Sequence, residues 1–528
     1  MTGFPSRFRP RLLACSLALL SAFAPAISFA RDAVSSPRSG PEWLDGAVIY
    51  AVVPPLFGEE KPFRSVTDRL DELQELGVDA LWFSPINETD DPSAISYAIT
   101  NYFNLRSDFG TPDDFRTLVR EAKARGMRIL MDFVPNHTSI AHPFYRDAQL
   151  QGPASPFFDF YERNDEGVAT HYFNWHTLKN LNYDNPDVQR MMISAFSHWI
   201  REFDVDGFRI DAVWGPRERN PAFLSKLTTE LRRIKPEVFL LAEASAHDPF
   251  YVRNGFDSAY DWTGELGKWA WEKVFEDPKH IAPRLDAALR ATEGKTPAGQ
   301  ITRFLNNNDT GERFITRYGV DTTRVAAILL LTLPGIPVIY SGDEVGAEYE
   351  PYKDPAPIKW VDRHGLQALY KKLTHLRGTK EALQGGRFER IPVKGNPSAY
   401  VFARDATTAG KSDDFAFVAL NFGGATTLEL SPSRQLQQKL VGSGELVDAL
   451  TGRSIPLVRA ADGRLRLKMP ASSGVVLMPK SPSLSSGSVD AGLREARLAG
   501  ATQSMPEGVC HPAGLMQDVD LRGARRCQ

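Results

Sequence analysis

The sequence predicts an α/β fold: a (β/α)8 TIM barrel with a short inserted subdomain after its third strand and an all-β sandwich at the C-terminal end. Three observations lead there. Short apolar runs rich in β-branched and aromatic residues recur from residue 47 onward, most of them follow amphipathic segments of helical period, and beyond residue 379 the pattern changes to strands separated by Gly and Asn turns. Runs this short are below helix length. Continuous apolar strands suit a parallel sheet buried on both faces.

Taken in order, the candidate barrel strands are 47–53, 80–84, 128–134, 207–211, 238–242, 256–260, 301–305 and 336–341. Two intervening helices are legible in detail. Thr111 can cap one, Pro112 suits its first turn, Asp114 completes a capping box, Phe115, Leu118, Val119 and Ala122 share a face, and Gly126 ends it. The stretch 65–77 reads the same way, with Ser65 and Asp68 as its box and Leu70, Leu73 and Leu76 as a core-facing stripe. The third and fourth strands stand about twice the usual βαβ spacing apart, and residues 135–182, rich in Pro, Asn, Asp and aromatics, read as the inserted subdomain. After a helical stretch at 366–376, strands are expected at 399–402, 415–421 and 474–478. These features divide the chain into a signal peptide (1–30), a linker (31–40), the barrel (41–378), the sandwich (379–480), and a Ser-rich linker with a tail (481–528).

The 528 residues are 42% hydrophobic and 24% charged, which excludes disordered and fibrous classes. A net charge of −3 without a dense basic block gives no footprint for nucleic acid or an anionic membrane. Arg7, Arg9 and Arg11, the apolar run 12–24 and the small-residue site at Ser28-Phe29-Ala30 read as an export signal. Pro25 interrupts a run already short for a bilayer span, so the expectation is a periplasmic or extracellular protein with no anchor after signal removal. A lipoprotein box at 12–15 would lack its own hydrophobic region. Of the three cysteines, Cys15 leaves with the signal, while Cys510 and Cys527 either pair or remain free thiols; no disulfide framework holds the main body.

Three predicted strands end in a carboxylate: Asp211 in GFRIDAVW, Glu243 in FLLAEAS and Asp309 in FLNNNDTGE. In a barrel those ends converge on the face where active sites sit. Any one of them alone reads equally well as a solvated or arginine-paired loop acid. Around them lie DFVPNHTS, with Asp132, Asn136 and His137 at the third strand, and Arg209 two residues before Asp211 on the same strand face. These four blocks, in this order, resemble the conserved regions of the α-amylase family of glycoside hydrolases. LKNLNYDNP at 178–186 and GIPVIYSGDEVG at 335–346 are similar to two further segments of that family, so the likeness runs from residue 43 to about 345.

The resemblance implies that Asp211 is the nucleophile, Glu243 the general acid/base and Asp309 the acid that fixes a distorted sugar. The chemistry agrees. A glycosidic oxygen leaves only when protonated, so one carboxyl must keep its proton near neutral pH while its partner stays ionised. The apolar residues before Glu243 suit the first role, and Arg209 is expected to favour the carboxylate form of Asp211. Double displacement places the two carboxyls about 5 Å apart. By similarity Tyr97 stacks on the sugar and His137 hydrogen-bonds to it, with Arg209 and Asn308 completing the substrate-binding set. Trp175, Trp214 and Trp262 are aromatic candidates only.

Three departures from the family pattern matter. Asn308 stands where a histidine is usual, which alters contacts to sugar hydroxyls; Ala98 stands where many members place an acid, which disfavours an exo-acting glucosidase. Asp211 is followed by Ala212, Val213, Trp214 and Gly215 instead of a Lys-His pair, so the usual calcium site is incomplete. Asn136 could still be a ligand, yet no obligatory metal or other cofactor is expected. The leading expectation is a retaining hydrolase of α-1,4-linked glucan or maltooligosaccharide. The alternatives are an α-glucosidase, glucanotransferase or isomerase on the same scaffold, or a catalytically silent glucan-binding protein.

Overall fold

The computed structural model describes residues 40–406, 414–461 and 463–480. The expected signal peptide, the Ser-rich tail and all three cysteines lie outside the described residues. Eight parallel strands close into a barrel in simple sequence order: β1 (Ile49–Val52), β2 (Ala80–Phe83), β3 (Arg128–Phe133), β4 (Gly207–Ile210), β5 (Phe239–Ser245), β6 (Ser258–Tyr260), β7 (Ile301–Phe304) and β8 (Ile336–Tyr340). Each expected strand is there. Residues alternate along them as a pleat demands: Ile49 and Ala51, Ala80 and Trp82, Phe239 and Leu241, and Val338 and Tyr340 fill the interior. Their neighbours Tyr50, Leu81, Phe83, Leu240, Ala242 and Ile339 point outward, into the cluster made with the surrounding helices.

The helix Pro112–Ala124 has the expected ends. Thr111 Oγ1 accepts from Asp114 N at 3.2 Å, the Asp114 carboxylate accepts from Thr111 N at 2.9 Å, and Phe115, Leu118, Val119 and Ala122 are buried. The stretch at 65–77 differs. Its helices are Pro62–Thr67 and Leu70–Leu76, so Ser65 lies inside the first and Asp68 at its end, and the expected Ser65–Asp68 box does not form. Pro62 explains this: with no N–H to give, it is tolerated in a first turn and sets the start three residues earlier. Leu70, Leu73 and Leu76 are buried as expected, each side chain worth about 1.5–3 kcal/mol of transfer free energy.

Between β3 and β4 the inserted segment builds a three-stranded antiparallel sheet from His137–Ser139, Trp175–Asn180 and His171–Tyr172, with the helix Pro143–Gln151 beside it. C-terminal to the barrel lie two antiparallel sheets of five and four strands. Val401, Phe417 and Leu477 of the larger sheet pack against Leu428 and Leu467 of the smaller. The alternate residues Tyr400, Phe402, Val418, Leu420 and Val476 join the core around the barrel. One sheet thus has both faces buried, which is why its strands read as unbroken apolar runs. Among the described residues no helix is long and apolar enough to cross a membrane.

Candidate active site

The site is the top layer of the barrel's inward-facing residues. Leu130 and Asp132 share a face of β3, Gly207 and Arg209 share a face of β4, and the register pairs Asp132 with Arg209 and Arg209 with Leu241. One pleat further along the same faces come Asp211 and Glu243. Arg209 sits at the centre, buried: Nη1 lies 2.8 Å from Asp132 Oδ1 and 2.7 Å from Asp211 Oδ1, and Nε donates to Tyr260 Oη at 3.1 Å. Nη2 approaches Glu243 Oε1 at 2.6 Å as an ion pair, out of line for a hydrogen bond. Three rings, Trp82, Tyr97 and Tyr260, surround the guanidinium at 5.7–5.8 Å.

Backbone strain appears where the chain leaves β4. Ala212 takes φ +41°, a left-handed conformation disfavoured for any residue with a Cβ, and its N–H donates to Glu243 Oε2 at 2.6 Å. The turn after Asp211 therefore also holds Glu243. Asp309 arrives differently, from a loop after β7. Asn307 Oδ1 accepts from the N–H groups of Asp309 and Thr310, both at 2.9 Å, while Asn306 bridges Asp343 Oδ1 (2.7 Å) and Phe314 N (2.7 Å). Asn308 Nδ2 then gathers the rim: Tyr352 Oη at 2.8 Å, Tyr97 Oη at 3.1 Å and Asp309 Oδ1 at 3.2 Å. Tyr97 in turn donates to Asp132 Oδ2 at 3.1 Å.

Among these carboxylates the electrostatics is unbalanced, because one cation faces Asp132, Asp211 and Glu243. Burial pushes Glu243 up to about 8 against the pull of Arg209, and the nearby Asp211 charge adds to the rise, the two carboxyls being close enough to share a proton. Burial also lifts Asp132 and Asp211 above the usual range, although Arg209 opposes it in both. Arg209 favours the carboxylate form of Asp211, as expected, but burial and then the Asp132 charge outweigh it. Asp309 is pushed up to about 6 by the protein packed round it and then by Glu243, against the pull of Arg209 and the Tyr352 hydroxyl.

All seven expected residues converge on this end of the barrel, with one qualification of role. His137 is buried, its Nε2 3.2 Å from the Tyr97 carbonyl and its Nδ1 3.1 Å from Asn136 Nδ2, and burial holds it neutral with a value of about 3. A neutral ring has one proton, and the Tyr97 carbonyl can take only a donor. His137 therefore reaches the site through Tyr97. Of the three tryptophans, Trp262 is buried beside Tyr260, whereas Trp175 and Trp214 flank Tyr172 in near-parallel stacks at 5.3 and 5.8 Å. Trp175 and Phe173 stand 56% and 53% exposed, and Phe173 holds φ +45°.

Asp132, Tyr260 and Tyr352 belong to the site without having been placed in the expected set. The first two were findable, since each occupies an inward position at the end of a strand. Tyr352 comes from a loop after β8 and carries no motif. The calcium donors do not fit: Asn136 Oδ1 accepts from Arg219 Nη1 at 2.8 Å, so the oxygen a metal would need is already held by a cation of the chain.

Comparison with known proteins agrees with this geometry. The family model for the α-amylase catalytic domain matches residues 62–380. The chain is 31% identical to the α-amylase MalA of Haloarcula japonica over 408 residues, which is 75% of this chain and 58% of that protein, so it spans little more than half the relative's length. It is 28% identical to neopullulanase 2 of Thermoactinomyces vulgaris over 83% of this chain and 78% of the other. The crystal structure of a Nostoc punctiforme debranching enzyme shares the fold, with a TM-score of 0.69 at 22% identity over 84% of this chain and all of that one. The matched span holds the larger part of the chain and every site residue named above, and the chain belongs to the α-amylase family of glycoside hydrolases.

Proposed function

We propose that the protein is an exported, retaining glycoside hydrolase that cuts α-1,4-linked glucan or maltooligosaccharides. The observation that carries this reading is Arg209 gripping Asp211 and Glu243 at 2.7 and 2.6 Å, which holds a candidate nucleophile and a candidate acid on one guanidinium, the adjacency a double displacement needs. Asp211 attacks the anomeric carbon while Glu243, still protonated near neutral pH, delivers its proton to the departing glycosidic oxygen. The resulting Glu243 carboxylate is met by the Ala212 N–H and Arg209. It then takes a proton from water, whose oxygen displaces Asp211 from the sugar, and the anomeric configuration is restored. Asp309, held by Asn308 and Tyr352, faces the sugar hydroxyls from the opposite rim. Similarity to an α-amylase and a neopullulanase supports the α-glucan substrate, and the segment 7–30 supports export.

A second reading, transfer of the glycosyl unit to another sugar, is favoured by the exposed rings of Phe173 and Trp175 near the mouth, apolar faces on which an acceptor sugar can lie. Incubating the mature protein with maltoheptaose, starch or sucrose and following products by proton NMR tests both. Hydrolysis gives shorter α-products with retained configuration, and transfer gives products longer than the substrate. Inverted products would sink the mechanism. The absence of turnover on all three would leave the silent glucan-binding reading, to which Ala98 and Asn308 would then point.

A further inference from the structure

We infer that the Arg219 guanidinium is a built-in cation that clamps the inserted subdomain to the barrel, in the place where a calcium ion would otherwise be sought. Arg219 ends the short helix Trp214–Arg219 that follows β4, and its side chain is nearly buried. Nη1 donates to Asn136 Oδ1, at the end of β3, at 2.8 Å, and Nε lies 3.0 Å from Glu162 Oε1, in the insert. Glu162 is itself anchored within the insert by Thr170 Oγ1 at 2.5 Å and Asn180 Nδ2 at 3.3 Å. One guanidinium, hydrogen-bonded to Asn136 and ion-paired with Glu162, therefore ties three separated stretches together.

Two features show that the cradle is shaped for this arrangement. Gly215, the second residue of this helix, lies so close to Asn136 that a Cβ there would overlap Asn136 Oδ1 and the Arg219 guanidinium, so only a residue without a side chain fits. The amide of Asn136 also uses its other end: Nδ2 meets His137 Nδ1 at 3.1 Å, and His137 Nε2 meets the Tyr97 carbonyl at 3.2 Å. Arg219 thus acts on the sugar-facing Tyr97 through Asn136 and His137. It is a positioning residue, one that touches no substrate. A divalent ion at the same oxygens would face the fixed positive charge of the guanidinium, and repulsion at such distances is large in a poorly hydrated site.

The test uses the full chain and keeps the clamp separable from the enzymatic reading above, on which only its kinetic part rests. Thermal melting of the unmodified protein is measured after exhaustive chelation and again with excess calcium chloride, alongside Arg219→Met and Arg219→Lys. The expected result is one melting temperature regardless of calcium, a fall of about 3 °C in Arg219→Met, and recovery of about half of that in Arg219→Lys, which keeps the charge without the fork. In turnover, Arg219→Met raises KM for maltoheptaose about threefold with a smaller change in kcat, the signature of a displaced binding residue. A melting temperature that drops on chelation and returns with calcium would overturn the inference. So would an Arg219→Met protein that melts with the unmodified one, or one whose KM is unchanged while its melting temperature falls. Should Arg219→Met fail to fold, the chelation series and Arg219→Lys still decide. If the protein turns over no glucan at all, the melting arms stand by themselves.

Discussion

Two buried arginines on the same face of the barrel are placed in opposite electrostatic settings. Arg313 meets Asp343 at 2.5 Å, and that carboxylate is fully employed: Oδ1 also accepts from Asn306 Nδ2, and Oδ2 accepts from Tyr340 N at 3.0 Å. Tyr349 and Tyr340 cover the guanidinium at 4.4 and 5.1 Å. Arg209 instead faces Asp132, Asp211 and Glu243 at once. The first is a strut: its one ion pair is with Asp343, and the nearby Glu344 carboxyl is held by the Tyr50 hydroxyl instead. The second carries more acid than its cation can neutralise, which costs stability and leaves a proton available. Excess carboxylate in a cleft is the physical mark of a site that does chemistry.

The sharpest way to break this contrast is Asp211→Asn, which keeps size and shape and removes the nucleophile. We expect kcat to fall about 10⁴-fold or more with the fold intact, read from maltoheptaose turnover and circular dichroism. A loss below about tenfold would mean that the bond is broken elsewhere.

Glu243→Gln comes next and should move activity and stability in opposite directions. Turnover falls by about 10²–10⁴-fold because the general acid is gone. Stability moves the other way, and its sign follows from linkage: Glu243 has a folded value of about 8, above its unfolded one, so the folded state binds more protons and loses stability as pH rises between those values. Gln has nothing to ionise. At pH 8 the variant should be more stable than the unmodified protein by about 1–3 kcal/mol, with the gap closing toward pH 4.5. The same proton sets the activity profile. The alkaline limb of kcat/KM should lie near pH 8, and the acid limb should report protonation of Asp211, whose value burial raises. A pH-independent stability difference would remove the case for an excess of acid.

Arg313→Met tests the strut. It leaves Asp343 buried without its cation, and the expected cost is about 3–5 kcal/mol in a denaturant titration. A cost under about 1 kcal/mol would erase the distinction between the two arginines.

The barrel was legible in the sequence wherever local rules determine structure. Apolar runs bounded by turn residues marked all eight strands, and the Thr111–Asp114 box marked a helix start to the residue. The failure at Ser65 is of the same kind, since Pro62 offered a competing start with a stronger backbone reason. Asp211 and Glu243 were legible as carboxylates at strand ends, where a barrel gathers its functional residues, and their roles were what the family resemblance implied. What could not be read is what depends on sharing. No pattern in the chain says that Arg209 divides its charge among three acids, that Arg219 reaches Glu162 fifty-seven positions earlier, or that Tyr352 returns from a loop to meet Asp309. Those are distances between elements, set by packing.

The smallest expected effect concerns the rim, where Asn308 replaces the family's usual histidine. Its single amide nitrogen links Tyr97, Asp309 and Tyr352 within 2.8–3.2 Å, so the position acts by orienting three neighbours at once. Asn308→Ala removes the two N–H donors that these three acceptors share, and water can substitute partly at the exposed Asp309 and Tyr352. Such a loss is worth about 1–1.5 kcal/mol, or roughly tenfold in kcat/KM, with the melting temperature nearly unchanged. Asn308→His would place a larger ring where the amide now fits between two tyrosines, and it should recover less activity than Asn308→Gln. If the histidine variant were instead the more active, the network around Asn308 would be a remnant of the family's arrangement, and the rim would owe its geometry to Tyr97 and Asp132 alone.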